Sequence, residues 1–69
     1  MTLKGLNKLH KFTDAKLGDK VMYDGSEYFI TFVFNHGGSM LYFDLEEVEP
    51  IPGTKLHRKE LSVHYSELN

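Results

Sequence analysis

Sixty-nine residues with no cysteine carry eight lysines and arginines against ten acids, for a formal net charge of −2. A chain this short makes one domain, 1–69, and buries only about 60% of the surface that its unfolded form exposes. Having no cysteine excludes disulfide staples and thiolate metal sites and points to a reducing cytoplasm, and no run reaches a signal-peptide core or a membrane span.

Taken in chain order, Leu3, Leu6, Leu9 and Phe12 recur at a near-helical spacing, with Asn7, Lys8, His10 and Lys11 mainly off that stripe. This predicts a short amphipathic helix or 3₁₀ segment in a basic arm over 1–16, weakened by Gly5 and stable only when packed on something else. Lys20–Tyr23 alternates as a first strand, and Asp24-Gly25 is the dipeptide preferred at a tight hairpin turn. A second strand is expected from about Glu27 to Phe34, a turn at Asn35-His36-Gly37-Gly38, and a third strand from Ser39 or Met40 to Leu45. Glu46 to Glu49 reads as an irregular segment or a short edge strand. Pro50 and Pro52 each lack a backbone donor, so no central strand is expected there. Ile51 to Thr54 reads as a turn, Lys55-Leu56-His57 as a short strand and Arg58-Lys59-Glu60 as a tight turn. Leu61, Val63 and Tyr65 alternate as a last half-buried strand.

About five short strands joined by tight turns predict a mainly β chain, a small closed or nearly closed antiparallel barrel over 19–66. The stretch Leu17-Gly18-Asp19-Lys20-Val21-Met22-Tyr23-Asp24-Gly25-Ser26-Glu27-Tyr28-Phe29-Ile30 resembles the opening hairpin of SH3-like barrels of the KOW and Tudor kind. Those hairpins often read Gly-Asp-x-Val-x-Tyr-x-Gly before an aromatic and aliphatic strand. The resemblance extends over 17–49 and implies a fold, not an activity. The basic loops of RNA-binding KOW members are missing here, and no Tudor-type aromatic cage can be assigned residue by residue.

Charge is unevenly distributed. Residues 1–20 hold five lysines and two aspartates, a net +3, and residues 51–69 hold three basic and two acidic residues, a net +1. Between them, residues 21–50 contain Asp24, Glu27, Asp44, Glu46, Glu47 and Glu49 and no lysine or arginine. The same stretch holds most of the aromatic residues. If Phe34 lies across from Ser39, the second hairpin pairs Phe32 with Leu41, Ile30 with Phe43 and Tyr28 with Leu45, one wholly apolar core face. The opposite face then carries Phe29, Thr31 and Val33 against Asp44, Tyr42 and Met40. That face is too apolar for bare solvent, so either the N-terminal leucine stripe covers it or a partner does.

Chemistry is not indicated. The four histidines lack the spacing of structural zinc sites, and the acids of 44–49 lack a loop that would converge them on a cation, so no metal or cofactor is expected. No serine has a defined His and acid partner. Asn35-His36-Gly37-Gly38 joins two strands instead of opening a helix, unlike a phosphate loop. The expected protein is a non-enzymatic interaction module. Its contacts would be Phe29, Val33, Met40 and Tyr42 as anchors and Asp44, Glu46 and Glu47 as acids that steer a basic protein partner. Stand-alone barrels of this size resemble phage or mobile-element accessory proteins that bind a host enzyme. Two alternatives stand beside it: a nucleic-acid-associated barrel using Lys4, Lys8, Lys11 and Lys16, and a homodimer formed by the apolar face.

Overall fold

A computed structural model describes residue 9 and residues 11–69. Leu3, Leu6, Lys4 and Lys8 of the N-terminal stripe and arm lie outside the described residues. Leu9 and residues 11–13 are helical, with Thr13 Oγ1 donating to Leu9 O at 2.6 Å. Four antiparallel strands follow, β1 (Lys20–Tyr23), β2 (Ser26–Asn35), β3 (Leu41–Pro50) and β4 (His57–His64), then a 3₁₀ turn, Tyr65–Glu67. They lie in one sheet in the order β1-β2-β3-β4. Among the described residues no helix is long and apolar enough to cross a membrane.

Local chemistry sets the turns. Asp24 (φ 50°) and Gly25 (φ 79°) both take positive φ between paired Tyr23 and Ser26, as a two-residue hairpin requires. In the next turn Asn35 Oδ1 accepts from the Gly37 N–H at 3.0 Å, and the His36 N–H donates to Met40 O at 2.9 Å. The third turn is tied by Thr54, whose Oγ1 donates to Ile51 O at 2.9 Å and accepts from the Leu56 N–H at 3.1 Å.

The mainly β class is as expected, but the architecture differs. Four strands form one sheet where five were expected, no strand ladder among the described residues closes it, and the chain returns to β1 through a single bridge, Tyr23 to Leu68. The expected turn at Arg58-Lys59-Glu60 is the middle of β4. One residue accounts for this. Ser62 takes φ 53° and the β3–β4 register shifts between Phe43 and Leu45, so a bulge breaks the alternation without ending the strand. Leu61, expected to be half-buried, is therefore 72% exposed, while Val63 and Tyr65 are buried. Residues 46–49 are not an edge, because β3 continues through them with β4 alongside, but the register shifts between Glu46 and Pro50, so the irregularity expected there is present. Pro50 pairs with His57 at the sheet's far end, past the last β2 partner, so its missing donor costs no central ladder bond.

The second hairpin has another register than expected. Phe34 pairs with Tyr42, Val33 with Phe43 and Phe32 with Asp44, and after a shift at Thr31, Ile30 pairs with Leu45 and Tyr28 with Glu47. The extra residue at Thr31 rotates the later part of β2 by one position. Phe32, expected in the core, is 49% exposed, and Val33, expected on the second face, packs against the core. Tyr28, Ile30, Leu41, Phe43 and Leu45 are buried as expected. They share one face of the sheet with Val21 and Val63, and Phe12, Tyr65 and Leu68 close over it. The Phe12 ring meets Phe43 edge-on at 6.2 Å between centroids.

Candidate interaction face

The N-terminal segment covers the core face, not the second one: Leu9 and Phe12 of the helical residues and Ala15 just after them pack with the buried cluster. The second face therefore lies open among the described residues. It carries Phe29, Phe32, Phe34, Tyr42 and His64 on three adjacent strands, placed there by the pairings Phe34 to Tyr42 and Tyr42 to His64. Phe32 and Phe34, two apart on β2, meet edge-on at 4.6 Å. The Tyr42 ring meets His64 at 5.0 Å. Such edge contacts order the rings without burying them. An open depression of about 210 Å³ is lined by Phe34, His36, Tyr42 and Ser62.

His64 is the tie that holds one end of this face. Its Nε2 lies 2.7 Å from Ser39 O, an atom that only accepts, so Nε2 carries the proton. Nδ1 is then the acceptor, taking the Ser66 hydroxyl at 2.7 Å and the Ser66 N–H at 3.3 Å. One imidazole thus links β4, the turn before β3 and the 3₁₀ cap.

Three acids of β3 are held by neighbours. Asp44 Oδ1 accepts from the Ser62 N–H at 3.0 Å, which fastens the β4 bulge. Glu46 lies 4.0 Å from Lys59 Nζ and Glu47 4.0 Å from Arg58 Nε, both across to β4. Each exposed pair adds little stability but lowers the local negative charge. At the far end of the core face, burial raises the Tyr28 hydroxyl above the usual tyrosine range, and Glu47 and Glu60 add to the rise while Arg58 opposes it. The Tyr23 hydroxyl is raised as well, by desolvation first and then by Glu67, Glu60 and Asp24.

Of the residues expected to bind a partner, Phe29 and Tyr42 lie half-buried on the open face and Met40 is exposed in the turn beside it. Asp44 and Glu46 border the face, whereas Val33 and Glu47 belong to the other side of the sheet. Phe32, Phe34 and His64 are additions that periodicity misplaced or passed over. Their places follow from the two bulges, at Thr31 in β2 and before Val63 in β4, which no run of residue types announces. Of the expected basic arm, Lys11 sits over the Phe12 ring at 5.2 Å, and Lys16 is exposed. Among the described residues no three histidine or acidic side chains come together as a metal site would need. Comparisons with protein-family models, with curated proteins and with solved structures found no match for this chain.

Proposed function

We propose that this protein is a small non-enzymatic interaction module whose open aromatic face docks a protein partner. The observation that carries it is that face itself. A single-layer sheet spends one side on its core, and here the other side presents Phe29, Phe32, Phe34 and Tyr42 with no cover among the described residues. Monomeric proteins rarely leave such a contiguous patch without use, and ordered aromatic rings are the side chains that anchor interfaces. Asp44 and Glu46 at its border favour a partner with a basic rim. An accessory role of the phage or mobile-element kind, in a reducing cytoplasm, belongs to the same proposal. So does the SH3-like barrel, supported by the 3₁₀ turn and the Leu68 bridge back to β1.

Affinity capture from the source cell should compare the wild type with Phe32→Ser and Tyr42→Ser. The expected result is a protein with a basic surface retained by the wild type and lost by both variants. If all three capture the same proteins, this face is not the contact surface. A second reading rests on Lys20, whose Nζ lies 5.7 Å from the centre of the Phe29 ring on the same face. An aromatic ring beside a cation is the unit that single-stranded nucleic acid binders use. Salt-sensitive retention on single-stranded DNA, lost in Lys20→Glu, would favour that reading over a protein partner.

A further inference from the structure

β2 is ten residues long, yet β1 lines only its first part. Lys20 pairs with Phe29, and Ile30 is bonded on that side through its N–H to Asp19 O and its carbonyl from the Gly18 N–H, both at 2.8 Å. Beyond Ile30, β2 has β3 on one side and no backbone partner among the described residues on the other. The direction of the unpaired groups follows from the turn. The His36 N–H donates to Met40 O, and pairing with β3 is regular from Phe32 to Asn35. Alternation then points the peptide groups of Phe34 and Phe32 at β3 and those of Val33 and Asn35 at the open side.

The remaining margins of the sheet are guarded. Along β4 stand Arg58 and Lys59, and the bulge at Ser62 distorts the strand. Next to β1 the Asn69 N–H donates to Met22 O at 2.9 Å beside the Leu68 bridge. Charges, bulges and cover are the devices that stop strand edges from pairing. From Phe32 to Asn35 there is no charge, no proline, no bulge and no cover among the described residues.

We propose that this margin of β2 pairs antiparallel with the same margin of a second copy, about a two-fold axis at Phe34. Hydrogen bonding selects that register. With Phe34 at the axis, Val33 faces Asn35 of the second copy on both sides, and four N–H···O=C bonds close. With Val33 at the axis only two would close. Phe34 then meets its own copy at a non-hydrogen-bonded position, where side chains approach most closely. Charge fits too, since neither copy brings a charge into the paired segment, whereas a basic margin like that of β4 would repel itself. The second copy's Gly37 and Gly38 pass Thr31 and Ile30 beside Gly18, and none of these glycines has a side chain to collide. Four residues per strand bury less than the roughly 1,000 Å² of a long-lived interface, so the dimer is weak and concentration-dependent. It uses the edge of the sheet, with Phe34 alone of the partner face at the axis, and joins the open faces of two copies into one.

Sedimentation from about 1 μM to about 1 mM should show reversible dimerisation of the wild type. Phe34→Glu, which sets two carboxylates together at the axis, should remain monomeric over that range with an unchanged circular dichroism spectrum. Because the chain has no cysteine, single introduced thiols report the register. Under mild oxidation Phe34→Cys should cross-link to its copy, and Phe32→Cys, facing His36 of the second copy, should not. A wild type that stays monomeric to about 1 mM overturns the proposal. Equal cross-linking of the two cysteine variants overturns it as well, and decides the matter even if Phe34→Glu fails to fold.

Discussion

Asp44 sits where two irregularities meet, opposite Phe32 just after the β2 bulge and across from the β4 bulge whose Ser62 N–H it accepts. Removing that acceptor leaves a backbone donor without its partner in a sheet that turns on this point. Asp44→Ala should cost about 1–2 kcal/mol in urea unfolding, and hydrogen exchange should show the Ser62 amide losing protection. Tyr28 makes a pH-dependent contribution. Its hydroxyl is raised above its unfolded value of about 10, so the folded chain holds that proton to higher pH than the unfolded one. The stabilisation is complete below the unfolded value and is lost as pH rises through the folded one. Stability should therefore fall as pH climbs past about 10, and Tyr28→Phe should flatten that fall while leaving neutral-pH stability nearly unchanged. The neutral-pH expectation follows because the hydroxyl has no hydrogen-bond partner among the described residues.

Among the elements, β1 and its turn were the most legible in the sequence. Lys20-Val21-Met22-Tyr23 alternates and Asp24-Gly25 supplies two positive φ angles, and both features are encoded within a few neighbouring residues. Gly25→Ala should therefore cost about 1–2 kcal/mol in thermal or urea unfolding, since a Cβ is disfavoured at φ 79° even where space is open. β2 and β4 were legible only in part. Each carries one extra residue at a bulge, and a bulge has no composition of its own: Thr31 and Leu61-Ser62 look like ordinary strand residues. Past each bulge a period-two reading assigns the wrong face, which is why Phe32 and Leu61 were expected inside and Val33 outside.

At the scale of the whole molecule, one buried leucine near the chain end joins the last residues to the first strand. Leu68 is 0% exposed and bridges Tyr23, so its side chain fills the core beneath β1 while its backbone lines the outer margin of that strand. Leu68→Ala should destabilise the fold by about 2–5 kcal/mol, with hydrogen exchange rising most at Met22 and Tyr23. The interaction face is a property of the same scale. Which aromatics lie on it depends on the Thr31 bulge. Whether it stays open depends on where Leu9 and Phe12 pack, and they choose the side that holds Phe43. By itself the sequence determined the β class, the positions of three turns and most of the buried residues, because φ preference, alternation and hydrophobicity act over a few residues. Only the tertiary structure decided the register, the pairing of Glu46 and Glu47 with Lys59 and Arg58, and the open side of the sheet. Those are contests between distant segments for the same partners, and packing energy summed over the whole sheet settles them.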